Sequence, residues 1–133
     1  MTDVWRTTLK KLKAEKINNC LILGLGGGSA AKLVRKFWPE AKITGVDIDS
    51  EMVELGRKYL GLGKTDTTVL IADANKICNQ LLVNREKFDL ILVDLYIGDK
   101  FPKKFESKKF LRLMLRLITD NGIVVFNRLY FGE

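Results

Sequence analysis

Four places in this chain combine residue types and spacing that could do chemistry. They are the glycines of GLGGGS (24–29), Asp47 in GVDID, Asp73 in IADA and Asp94 in LILVDLY. Gly24 and Gly26, on either side of Leu25, permit a tight turn, and Gly28 lets a following helix pack close. The N–H groups of such a loop, placed ahead of a helix, can hold an anion or a carboxylate. Asp47 comes about 20 residues further on, where a carboxylate at a strand end accepts hydrogen bonds from both hydroxyls of a ribose. An acid in that role repels a 2′-phosphate, and Asp49 then serves to cap the next helix. Asp73 can accept from an exocyclic adenine amine while the Ala74 N–H donates to the ring edge, or it can cap the helix after it. Asp94 can hold an ammonium group or take a proton. Asp89, earlier in the same segment, reads as structural.

The chain has no histidine, so acid–base work falls to Asp, Glu, Tyr, Lys or backbone groups. Cys20 and Cys78 fit no metal-ligand spacing and read as small buried hydrophobes in a reducing compartment. The net charge of +7 leaves nucleic acid or an anionic cofactor as possible partners. The basic residues are spread along helices, as in KKLKAEK (10–16) and KKFESKK (103–109), without interleaved aromatics, so a solvated basic surface is expected. No apolar run approaches the roughly 20 residues of a membrane helix, and the N-terminus lacks a signal-peptide core. A cytoplasmic protein without membrane contact is expected, and 133 residues predict one domain over 1–133.

Alternating strand and helix patterns must position those residues. Residues 3–15 carry Trp5, Leu9 and Leu12 at helical spacing, with Thr2 or Asp3 as cap. The continuous apolar run at 20–25 predicts a strand buried on both faces, 42–48 and 67–74 read as further strands, and 88–96 as a fourth that is apolar through its middle. Helices are expected over 30–38, 50–60 and 107–119, with a weaker one around 75–84. DNG (120–122) predicts a turn into a fifth strand at 123–131. The result is a Rossmann-like doubly wound α/β fold: five parallel strands in order 3-2-1-4-5 with flanking helices. Ligands bind such sheets beyond the strands' carboxyl ends, where the glycines and aspartates fall.

Those motifs, in that order and joined by FLRLMLRLITDNGIVVF near the end, resemble class I S-adenosylmethionine-dependent methyltransferases. Within them the chain is most similar to the spermidine synthase-like branch. The resemblance implies a site for S-adenosylmethionine or its decarboxylated form. Gly24, Leu25, Gly26 and Gly28 would face the methionine part, Asp47 the ribose, Ile48 the adenine face, and Asp73 with Ala74 the adenine edge. Asp94 falls where aminopropyltransferases keep the aspartate that deprotonates the attacking amine. Departures are specific: Gly27 stands where spermidine synthases carry a loop aspartate, and Ile97 where they carry a second strand-four aspartate, with Asp99 two residues on. The hairpin region that supplies amine-binding residues has no counterpart before Thr2, and the last two strands of the class I fold have none after the fifth. A methyltransferase, or its cofactor-binding domain, is therefore expected ahead of an aminopropyltransferase, with a non-catalytic nucleoside-binding module as the third reading. An edge strand IVVFNRLYF, broken only by Arg128, predicts pairing with a second copy as a homodimer.

Overall fold

The computed structural model describes residues 2–95 and 103–127. The chain order is α1 (Thr2–Lys11), β1 (Asn19–Leu23), α2 (Ser29–Phe37), β2 (Lys42–Asp47), α3 (Ser50–Tyr59), β3 (Thr67–Ile71), α4 (Ala74–Val83), β4 (Phe88–Val93), α5 (Lys108–Leu117) and β5 (Ile118–Phe126), with single 3₁₀ turns at Leu62–Thr65 and Lys103–Glu106. All strand pairs are parallel and the order is β3-β2-β1-β4-β5, as the alternating pattern predicts. No helix among the described residues is long and apolar enough to cross a membrane.

The central strands are apolar throughout because both of their faces are covered. Ile22, Leu90 and Leu92 point to a core shared with Trp5 and Leu9 of α1, Leu33 and Val34 of α2, and Val53 of α3. Leu21, Leu23, Ile91 and Val93 point the other way, onto Cys78 of α4 and Phe110, Met114 and Leu117 of α5. Each of these side chains is fully or almost fully buried and contributes about 1.5–3 kcal/mol by leaving water. Arg35, near the end of α2, spends its guanidinium on backbone carbonyls of Thr65, Pro39 and Ala41 at 2.8, 2.7 and 2.6 Å, tying α2 to the starts of β2 and β3.

Three expectations change in detail. The helix expected over 107–119 ends at Leu117, and DNG lies inside β5 rather than before it. Phe88 pairs with Ile118, Leu90 pairs with Ile123, and residues 119–122 bulge out between them. Asp89 holds that start: its carboxylate accepts from the Thr119 hydroxyl (3.1 Å) and from the N–H groups of Asn18 (2.8 Å) and Asn19 (3.0 Å), joining β1, β4 and β5. The segment around 75–84 is a full ten-residue helix, capped by Asp73. The 3₁₀ turn after Gly61 has no sequence periodicity to announce it. The side chains of Thr2 and Asp3, expected as caps, and the residues Ile97, Asp99 and Arg128 lie outside what the structure describes.

The sheet closes most tightly where β1 leaves it. Gly24 has φ +91°, and a Cβ there would stand 2.0 Å from the Asp94 carbonyl oxygen. Only glycine lets β1 and β4 meet at this point. Gly24→Ala is therefore expected to cost roughly 2–4 kcal/mol in denaturant unfolding, from backbone strain and a clash with main chain. A loss under about 1 kcal/mol would show that the two strand ends can part at little cost.

Candidate active site

Backbone pairing runs on past the strand ends. The Gly24 N–H donates to Val46 O (2.8 Å), Asp94 N–H to Leu23 O (2.7 Å), Ala72 N–H to Asp47 O (3.0 Å) and Asn127 N–H to Val93 O (2.8 Å). These bonds fix the residues that follow β1, β3, β4 and β5 along one rim, beside the end of β2. A cavity of about 670 Å³ opens there, within the range of small-molecule sites. Gly24, Leu25, Gly26, Asp47, Ile48, Asp73, Ala74 and Asp94 all line it. Gly28 does not. Its φ of +97° turns the chain into α2, and the space beside it is filled by the Leu62 side chain, so its task is packing.

Asp47 is wired into the glycine loop. Its Oδ2 accepts the Gly26 N–H at 2.6 Å and its Oδ1 the Asp49 N–H at 2.9 Å. Each carboxylate oxygen can take a second donor, so both retain capacity for a ligand's hydroxyls. Gly26 itself has φ +54° with nothing within 4 Å of where a Cβ would be, so it faces open space. Asp49 caps α3, accepting from Met52 N–H at 3.1 Å, as expected. Ile48, between the two aspartates, is 69% exposed, and Met52 beside it 42%. Together they leave an unsatisfied apolar shelf at the cavity wall.

Asp73 does two things at once. Its Oδ2 caps α4 through the Lys76 N–H (3.1 Å), and its Oδ1 receives the Lys104 ammonium at 3.2 Å. Burial pushes this carboxyl up, but the N–H groups of Lys76 and Asn75 and the charge of Lys104 outweigh it and hold it below the usual range. Lys104 also lies 5.0 Å from the Phe105 ring centre, and both residues line the cavity. Sequence reasoning had placed Lys104 in a solvated basic run and had given Phe105 no role. A lysine whose partner lies 31 residues away leaves no local signal.

Asp94 sits between two donors that the sequence did not connect to it. Trp5 Nε1–H donates to Oδ2 at 3.3 Å, and the Asn127 amide donates to Oδ1 at 3.2 Å. Burial raises the Asp94 carboxyl above its usual range; the Trp5 and Asn127 hydrogen bonds pull it down, and the Asp47 charge pushes it up again. The two cysteines take no part. Both are buried and free, and burial with the charge of Asp73 nearby pushes the Cys78 thiol up to about 12.

The cavity is thus acidic inside a basic chain. Four aspartates line it (47, 49, 73 and 94), and Lys104 is the one cation among the described lining residues. α2 begins at the same wall with no side-chain cap, while Ser29 and Ala30 line the cavity, so the positive end of that helix opens on it. Such an arrangement accepts a ligand carrying positive charge, a polar sugar, an apolar ring and one carboxylate. It offers little to a diphosphate.

Comparisons with known proteins bear on this arrangement. A family described as a methyltransferase domain matches residues 16–130. The chain is 30% identical over 114 residues to the "Probable polyamine aminopropyl transferase" of Bifidobacterium longum (strain NCC 2705), covering 86% of this chain and 25% of that protein. It is 29% identical over 117 residues to the "eEF1A lysine and N-terminal methyltransferase" of Homo sapiens, covering 80% of this chain and 17% of that one. Among solved structures it resembles human methyltransferase-like protein 13 in complex with SAH, with a TM-score of 0.75 at 25% identity over 92% of this chain and 60% of that one. The chain spans a quarter of the length of the first of these curated relatives and less of the second.

The double duty of Asp73 is open to measurement. Asp73→Ala should cost about 1 kcal/mol of stability at neutral pH, from the lost cap, with little added by the exposed lysine pair. Because the folded-state pKa is depressed, the contribution is present above the unfolded value near 3.9 and is lost as pH falls through the folded one. Denaturation at pH 7 and pH 2 checks this. The variant and the parent should converge in acid, and an undiminished gap there would deny Asp73 the capping role.

Proposed function

The chain belongs to the methyltransferase domain family, and from that premise we propose that it is an S-adenosylmethionine-dependent methyltransferase, or the cofactor-binding domain of one. The observation that carries this reading is the uncapped start of α2, opening behind the glycine loop onto a cavity whose charged lining is four aspartates and Lys104. A carboxylate suits the helix end and a sulfonium suits the acids, and S-adenosylmethionine carries both. Gly27 supports the same choice, since it stands where the resemblance to spermidine synthases would put a loop aspartate.

When bound, S-adenosylmethionine supplies a methyl group on a positively charged sulfur, already activated for in-line displacement. The chain's own residues then have positional tasks. Asp47 accepts from the ribose hydroxyls with the oxygen capacity that Gly26 and Asp49 leave it. Ile48 covers one face of the adenine, and the Ala74 N–H serves its edge. Asp73 reaches the adenine amine only by sharing the oxygen that Lys104 occupies. Asp94 stands ready to orient the acceptor and take its proton, since its carboxylate is the group left for base chemistry beside the loop.

A second reading, aminopropyl transfer from decarboxylated S-adenosylmethionine, is favoured by the position of Asp94 and by the Bifidobacterium relative. The two readings differ at α2. The decarboxylated donor has no group to place at that helix end.

Calorimetry separates them. S-adenosylmethionine should bind at least about tenfold more tightly than its decarboxylated form, the scale of one charge-assisted contact, and NAD should give no heat. Equal or tighter binding of the decarboxylated form would overturn the methyltransferase reading. In the same assay Asp47→Ala should weaken S-adenosylmethionine binding by about 1.5–3 kcal/mol through lost charge-assisted hydrogen bonds. Unchanged affinity would move the ribose elsewhere.

A further inference from the structure

The contact between α1 and the far end of β4 has no counterpart in what the fold alone requires. Trp5 is 2% exposed and packs with Leu9 into the core beneath α1 and α2, where a phenylalanine would serve as well. Instead its indole N–H reaches the Oδ2 of Asp94, 89 residues away, at the cavity wall. Asn127 is 4% exposed, follows β5 directly, and turns its amide to the other oxygen. A buried amide after an edge strand is costly unless it is satisfied, and here the carboxylate satisfies it. Two elements from opposite ends of the chain, one of them preceding the residues that the family matches, converge on one aspartate.

We infer that Trp5 and Asn127 are positioning residues. Their N–H groups hold one oxygen each of Asp94, keep it ionised, and leave its remaining lone pairs directed into the cavity. This role rests on the reading of the cavity as an S-adenosylmethionine site. A half-buried carboxylate with another aspartate nearby tends toward its neutral form, in which it neither attracts a cation nor takes a proton. Donors fixed on both oxygens oppose that tendency, and each costs the carboxylate only one of the sites it can offer. The charged groups that share the cavity with Asp94 are Asp47 after β2, Asp49 at the start of α3, Asp73 before α4 and Lys104 ahead of α5. Of these the Asp47 charge works with burial against ionisation of Asp94, and the two neutral donors work for it.

The test reads the carboxyl directly. Carbon-13 NMR of aspartate-labelled, ligand-free protein follows the Asp94 titration in the parent, in Trp5→Phe and in Asn127→Ala. Trp5→Phe keeps an aromatic ring in the core and removes the N–H together with the five-membered half of the indole. Each variant should raise the Asp94 titration by roughly one pH unit, the effect of one hydrogen bond to a charged acceptor. The pH below which S-adenosylmethionine affinity falls should rise by the same amount in calorimetry. An unmoved titration in both folded variants, while the parent binds S-adenosylmethionine, would overturn this inference and leave the function standing. A shifted titration with an unshifted binding profile would do the same, reducing the pair to a structural role. No heat from the parent at any pH would overturn the function and this role together.

Discussion

The absence of a side chain at Gly24 is the constraint on which the rest of the site depends. Its Cα faces the Asp94 carbonyl across a gap that a single methyl group would overfill. Because the gap is that narrow, the β1–β4 ladder continues to the Asp94 N–H, and Asp94 leaves the sheet beside the glycine loop rather than away from it. The positive φ at Gly24 then swings the chain across the top of β2, where Gly26 meets the Asp47 carboxylate. The glycine loop, Asp47 and Asp94 are thus fixed relative to one another by main-chain geometry. Ligand binding need not assemble them, and preorganisation of this kind spares the ordering cost of association.

Electrostatics sets the cavity apart from the rest of the chain. A chain with net charge +7 collects four aspartates in one cavity and admits one lysine, which is already committed to Asp73. The surrounding basic surface does not attract a cation, so attraction must be local, from carboxylates in a partly desolvated recess where charges act more strongly than in water. Two of the four are in fixed structural use, Asp49 and Asp73 as helix caps. The other two, Asp47 and Asp94, cap no helix and flank the glycine loop, each accepting two hydrogen bonds.

Much of this was legible in the sequence because the signals are local. A double-faced apolar run such as LILVD can only be a covered parallel strand, and the residue that ends it must lie at the rim. Hence Asp47, Asp73 and Asp94 could be placed before any coordinates. Asp49 against Asp47 was also separable, since a cap is recognised by its distance from the helix it starts. What stayed hidden was long-range. Trp5 looked like one member of an amphipathic stripe, and its N–H carries no periodic signature. Asn127 carries no signal of its own within the strand pattern IVVFNRLYF. Lys104 looked like solvent-facing charge. Each owes its role to a partner 31 or more residues distant. Gly28 reads as a close-packing position from its place in the glycine motif, but its packing partner, Leu62, lies beyond what the sequence pattern reveals.

The central claim is that the carboxyl-end rim receives S-adenosyl ligands through the groups Gly24 has brought together. Backbone amide NMR during titration with S-adenosylhomocysteine tests it most directly, since that molecule keeps the nucleoside and the carboxylate and cannot react. The account predicts the largest shift changes at Gly26, Asp47, Ile48 and Ala74, with Ser29 and Ala30 at the start of α2 responding to the carboxylate. Saturable changes confined to other surfaces, or none up to millimolar ligand while the protein remains folded, would contradict it.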